Sequence, residues 1–272
     1  MEQILQFSLG VLIGSLLAPV IDVAALTRGV WMSGHNRWST IKHKKALTDA
    51  KKSKGWTKLI KEVTVAARGG GDPVNNPRLR TAMDKARAAN IPNDTVERAI
   101  KKGTGELGAD LVEELTYMAF GPGGVAIIIE AATDNRNRTA PEIKKILERQ
   151  NSKIDPSGSA MHKFKKRGQI VFEAAKFSED AVTEVALELG ADDVRTEGES
   201  VVVLTEPALY HEIKEGFEKR GLLPEFTELG MVPELVVQVS GKDEEQLTKL
   251  LAALEEHDDV LNVYSNHEGT EE

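Results

Sequence analysis

The 272-residue sequence predicts an α+β protein in three parts, a basic helical head followed by two α/β domains, one of them ferredoxin-like. Three observations carry that expectation. Charge is unevenly divided: residues 33–103 hold 17 Lys and Arg against 6 Asp and Glu, while the rest of the chain holds 18 against 37. Apolar residues recur at helical spacing up to Gly103 and alternate as in strands from Val112 onward. Between residues 168 and 230 the elements run strand, helix, strand, strand, helix, strand, which is the order of the split βαββαβ unit.

Residues 1–31 stand apart from the rest. Ile4 to Ile21 is apolar and almost uncharged, at the lower limit for a bilayer span, but Gln6, Ser8, Gly10, Gly14, Ser15 and Pro19 interrupt it. No positive charge precedes it, and Arg28 is the one arginine of the segment, so neither a secretory signal nor a transit peptide fits. The expectation is an upstream extension with the working start at Met32; a membrane is a partner only if the segment is a real anchor.

The head, residues 32–107, reads as four helices. The first covers Thr40 to Lys52. In the second, ending at Arg68, Trp56, Leu59, Ile60, Val63 and Ala67 form a packed face, with Lys54, Lys58, Lys61 and Arg68 opposite. A Gly69-Gly70-Gly71-Asp72-Pro73 break follows. Pro77 opens a third helix with Leu79, Met83 and Ala86 inward and Arg78, Arg80, Lys85 and Arg87 outward. The fourth follows Pro92, with Asn93 as its N-cap, and stops at Gly103.

Beyond the head, Val112 to Phe120 and Val125 to Thr133 flank Gly121-Pro122-Gly123-Gly124 and predict a hairpin. A helix from Thr139 to Gln150 and a Pro156-Ser157-Gly158 loop come next. The inserted ferredoxin-like domain, residues 168–230, places strands at 169–174, 193–196, 200–204 and 225–229 and helices at 179–189 and 208–219. A strand at 235–239, a helix at 244–255 and a strand at 260–264 return to the middle domain, which is therefore discontinuous, 108–167 plus 231–266. An acidic tail, 267–272, closes the chain.

Cysteine is absent, which excludes disulfides, thiolate metal sites and cysteine nucleophiles and favours a reducing compartment, the cytoplasm or an organelle matrix. The six histidines form no ligand pair at helical spacing, and no serine sits in a nucleophile elbow. The glycine loop at 69–71 is not completed as a P-loop, and the Gly103 to Gly108 run follows a helix, so it reads as a linker and not a dinucleotide fingerprint. No enzyme activity, metal, cofactor or small-molecule substrate is expected.

What remains is polyanion binding. An excess of 11 positive charges over residues 33–103 repels itself unless anions neutralise it, and phosphates do so through counterion release. The candidate contacts are Arg37, Trp38, Lys42, His43, Lys44, Lys45, Lys51, Lys52, Lys54, Lys58, Lys61, Arg68, Arg78, Arg80, Lys101, Lys102, Arg136 and Arg138. Trp38 and His43 add rings that can stack on unpaired bases, or, for Trp38 equally, pack in the core. Arg136 and Arg138 lie in Asp134-Asn135-Arg136-Asn137-Arg138-Thr139, where capping accounts for Asp134, Asn135 and Asn137.

From Met32 the chain resembles the YebC/PmpR family, which includes the mitochondrial translational activator of cytochrome oxidase subunit I. The resemblance rests on Gly34-His35-Asn36-Arg37-Trp38, Ile41-Lys42-His43-Lys44-Lys45 and Thr57-Lys58-Leu59-Ile60-Lys61-Glu62. It continues through Gly70-Gly71-Asp72-Pro73, Asn76-Pro77-Arg78-Leu79-Arg80, Ile91-Pro92 and Thr133-Asp134-Asn135-Arg136-Asn137-Arg138-Thr139. It implies three domains and one of two roles: a ribosome-associated translation factor that assists proline-rich nascent sequences, or a DNA-binding transcriptional regulator. The expectation favours the first, with ribosomal RNA as partner, because no helix offers a base-reading set in a helix-turn-helix context. The sequence departs from the family upstream of Met32 and at His162, where an aromatic usually stands two residues before Phe164.

Overall fold

A computed structural model describes residues 52–108 and 112–269. The expected first helix and the extension expected at residues 1–31 lie outside them.

Three helices of the head are described: α1 (Lys52–Ala67), α2 (Pro77–Ala88) and α3 (Asn93–Gly103). Asn76 starts α2 by accepting the Leu79 N–H at 3.0 Å, and Pro77 takes the first position, where no amide hydrogen is needed. The N-cap of α3 is Pro92, not the expected Asn93, and it makes no side-chain cap. The head core is built from small and branched residues, among them Val63, Ala67, Leu79, Ala82, Ala86, Val96 and Ala99. Small residues let the axes approach closely. At Gly103 a Cβ would stand 2.2 Å from the Thr64 carbonyl oxygen and 2.7 Å from the Ala67 Cβ, so only glycine fits where α3 crosses α1.

The middle domain opens with the hairpin β1 (Glu113–Phe120) and β2 (Ala126–Thr133), followed by α4 (Arg136–Arg149) and the short edge strand β3 (Lys153–Ile154). Asn135 accepts the Arg138 N–H, which starts α4 three residues before the expected Thr139 and leaves Pro141 inside the helix at an exposed position. Asp155 then gathers the following loop, accepting from the N–H groups of Ser157 and Ala160 and the hydroxyls of Ser157 and Ser159. The Ser157 hydroxyl, the Ala160 amide and the other donors hold its pKa down to about 2 against the opposing effect of desolvation. His162 ends up exposed beyond this loop.

The inserted unit is β4 (Phe164–Glu173), α5 (Glu179–Glu188), β5 (Asp193–Glu197), β6 (Ser200–Thr205), α6 (Tyr210–Lys219) and β7 (Phe226–Pro233). Its strands lie in the order β5-β6-β4-β7, all antiparallel, which is the ferredoxin-like arrangement. Strands β4 and β7 run longer than expected, paired from Phe164↔Pro233 to Val171↔Phe226. Lys165, Lys166 and Arg167 break the alternation there, which hid the start of β4. Phe172, Val201, Val203, Tyr210, Ile213 and Phe217 fill its core against α5 and α6.

The chain returns through β8 (Val237–Val239), α7 (Gly241–Glu256), β9 (Val260–Ser265) and β10 (His267–Gly269). Strand β9 pairs with β2, Ile127↔Ser265 through Ala131↔Val260, and completes the sheet β3-β1-β2-β9. Helices α4 and α7 cover one face of it through Ile143, Leu147, Leu247, Leu250 and Leu254. Residues 267–269 are not a free tail, because they pair in parallel with β8.

Replacing Gly103 by alanine should therefore destabilise the chain by about 1–3 kcal/mol, since the clash is with backbone and overpacking outweighs the gain in helix propensity. A urea denaturation curve with an unchanged midpoint would show that the α1–α3 crossing has slack.

Candidate nucleic-acid interface

The cationic side of α1 proves to be two surfaces. Residues 63–67 are all buried, so this half of the helix has no solvent face. Val63, Ala66 and Ala67 join the head core, and Val65 packs with Val112 and Ala132 of the middle domain. The charged residues of the preceding turns, Lys58 and Lys61, also meet the middle domain. Lys58 Nζ donates to the Glu255 carbonyl in the last turn of α7 and Lys61 Nζ to the Asp258 carbonyl, two residues beyond the helix, at 2.9 Å, at the negative end of the helix dipole.

Asp259 sits at the centre of this seam. Its residue is 3% exposed, and its carboxylate meets Lys61 Nζ at 2.5 Å and Arg138 Nη2 at 2.9 Å. The hydroxyls of Thr139 and Thr133 also donate to it, at 2.7 and 3.3 Å. Desolvation works against its ionised form, but the donors of Lys61, Thr139 and Arg138 prevail and hold its pKa well below the ordinary carboxylate range. The Asp259 N–H donates to His257 Nδ1, which leaves His257 Nε2 to donate to Glu142 at 3.0 Å. Glu142, His257 and Asp259 bring three potential ligand atoms within 4.8 Å of one another, but each already has a protein partner in this network.

Other predicted contacts have partners within the protein while keeping exposed surface. Arg78 forms a two-pronged pair with Glu114 of β1, and Arg68 donates to the Val112 carbonyl at 3.0 Å. Arg80 braces the loop before α2 by donating to the carbonyls of Pro73 and Val74. Thr81 meets His211 of α6 at 3.1 Å, so the head also touches the inserted domain. The expectation of a free solvent stripe is thus corrected for Lys58 and Lys61, while Arg68 stays exposed. The physical reason is that Asp259 and the carbonyls of Glu255 and Asp258 face them, and the cue in the sequence was the uncharged run Val63 to Ala67, longer than one turn.

Lys101 and Lys102 on α3 and Arg136 at the start of α4 have no charged or hydrogen-bonded partner among the described residues, and Lys101 and Arg136 are exposed. Arg98, which the sequence reading passed over, is exposed on α3 beside them and likewise without a partner. Its position at helical spacing from Lys101 and Lys102 was the available cue. Lys52 and Lys54 belong to α1, with side chains outside the description; Arg37, Trp38, Lys42, His43, Lys44, Lys45 and Lys51 lie outside the described residues altogether. No helix among the described residues is long and apolar enough to cross a membrane.

Fold and seam define a three-domain α+β protein whose basic helical head is docked on two α/β domains. Residues 36–106 match the model of the TACO1/YebC N-terminal domain, and residues 112–267 that of the TACO1/YebC second and third domains; the chain belongs to this family. It is 52% identical over 242 residues to a probable transcriptional regulatory protein of Acidithiobacillus ferrooxidans, covering 89% of this chain and 96% of that one. A protein of the same description from Geotalea uraniireducens is 49% identical over 243 residues, covering 89% and 98%. Among solved structures, a conserved hypothetical protein of Aquifex aeolicus superposes with a TM-score of 0.75 at 41% identity, covering 83% of this chain and 93% of the other.

The depressed pKa of Asp259 fixes the sign of a pH effect. Its contribution to stability is complete above the unfolded-state value of about 4 and is lost as pH falls below it. Urea midpoints measured from pH 7 down to pH 3 should fall in the acid range, and Asp259→Asn should remove part of that fall. Parallel curves for the two proteins would mean the seam carries no ionised carboxylate.

Proposed function

We propose that this chain is a non-enzymatic, nucleic-acid-binding regulator of gene expression. The observation that carries the reading is the charge surplus of residues 33–103, which persists after the seam is accounted for. Lys58 and Lys61 are held by the Glu255 carbonyl and Asp259, yet Arg98, Lys101 and Lys102 on α3 have no anionic partner among the described residues, and Lys42, Lys44, Lys45 and Lys51 add four more positive charges to the sequence ahead of α1. Phosphate supplies the missing negative charge.

Two targets fit such a surface. Structured RNA on the ribosome, with a role in translating proline-rich segments, agrees with the lack of a base-reading helix; shape and phosphate are then what the head recognises. Promoter DNA is the second target, and the names of the relatives, probable transcriptional regulatory proteins, favour it. The middle and inserted domains, being acidic, orient the head and repel polyanion elsewhere.

The test is a salt titration of binding to a structured RNA and to duplex DNA of equal phosphate count. Replacing Arg98, Lys101 and Lys102 by alanine should lower the log–log salt slope by about 2, at 0.7–0.9 for each lost phosphate contact. Lys58→Ala with Lys61→Ala should leave the slope nearly unchanged and lower stability instead. A slope that ignores the α3 triple substitution would place the phosphate path elsewhere, and tighter binding of duplex DNA would select the transcriptional target.

A further inference from the structure

We propose that Trp56 is a stacking platform for an unpaired nucleobase. The inference rests on the nucleic-acid reading above and adds to it a contact that recognises bases. Trp56 lies on the apolar face of α1 by spacing, with Leu59, Ile60 and Val63, and so belongs in the head core by pattern. It is not there. Leu59 and Ile60 pack against the core cluster, whereas the Trp56 residue is 37% exposed and outside it.

Its orientation is nonetheless held. The indole Nε1–H donates to the Ala89 carbonyl at 3.2 Å, at the C-cap of α2, where Asn90 turns the chain through a left-handed conformation (φ 57°) toward Ile91 and α3. One edge of the ring is therefore anchored and its polar atom satisfied. Among the described residues no other ring stacks on it. A tethered indole with exposed surface loses little freedom when a base is laid on it, and base–aromatic stacking tolerates any base because each has a π face.

The surroundings select the ligand. Arg87, its side chain 72% exposed and paired with Asp84 at 3.2 Å, closes α2 two residues before Ala89. Exposed ring surface on a head with a surplus of positive charge fits a ligand that is flat, aromatic and anionic. A nucleotide is such a ligand, and in a duplex its base is already stacked, so the partner is a single strand, a loop or an end.

The experiment uses the full chain, Trp56→Leu, which keeps apolar bulk without a ring, and Trp56→Phe, which keeps a ring without the N–H. Each is titrated with a single-stranded oligoribonucleotide and with inorganic polyphosphate, a polyanion without bases. Trp56→Leu should bind the oligonucleotide about 5- to 150-fold more weakly and polyphosphate as before, with Trp56→Phe recovering most of the loss. The full chain should also show a fluorescence quench by the oligonucleotide, reduced in Trp56→Phe by the share of Trp56 and not produced by polyphosphate. Undiminished oligonucleotide binding by Trp56→Leu, or parallel losses for both ligands, would overturn the proposal while leaving the phosphate-binding surface standing. Failure of the full chain to bind either ligand would overturn the nucleic-acid reading itself, and this inference with it.

Discussion

A carboxylate buried as deeply as that of Asp259 is tolerable only when cations and hydrogen-bond donors replace the water it has lost. Here Lys61 comes from the head, Arg138 and Thr139 from the start of α4, and Thr133 from the end of β2. One acid thus ties the N-terminal domain to a strand end and a helix start of the middle domain. The Glu255 carbonyl at the end of α7 and the Asp258 carbonyl just beyond it accept from Lys58 and Lys61, so the head is held by charge at a point where Val65, Val112 and Ala132 pack together. Arg78 with Glu114, and Thr81 with His211, add contacts that fix the rotation of the head on the two α/β domains.

This arrangement divides the basic residues into two populations with different physics. Cations facing an internal acid or a helix C-terminus hold domains together, and a phosphate in water, screened by salt, competes poorly for them. Cations without such a partner keep their self-repulsion until an external anion arrives. Arg98, Lys101 and Lys102 are of the second kind, although two of them also suit the negative end of α3. The charge excess of the head thus serves both architecture and binding, and only the geometry separates the two uses.

Much of the fold was legible because local signals and tertiary roles agree. Helical spacing in 56–67 and 77–88, the glycine cluster at 121–124 and the βαββαβ order each mark an element whose core face is also its sequence pattern. Where the two part, reading fails by a few residues or by a whole face. Lys165 to Arg167 hid the start of β4, because those side chains are solvated in a strand whose apolar alternation begins later. Asn135, and not Thr139, proved to start α4, since the cap is decided by one side-chain hydrogen bond. Lys58 and Lys61 looked solvated because their acid lies 198 residues from Lys61 along the chain, beyond the reach of any local pattern. Trp56 looked buried because periodicity counts faces, not the space available on them.

The central claim is that the Lys61–Asp259 pair couples the head to the middle domain. A double-mutant cycle with Lys61→Met and Asp259→Asn, read by urea denaturation at neutral pH, measures that coupling directly. Each single change should be costly, about 3 kcal/mol for loss of one partner of a buried pair, and the double variant should recover about 2 kcal/mol of the summed loss. Additivity within about 0.5 kcal/mol would show two independent residues and contradict it.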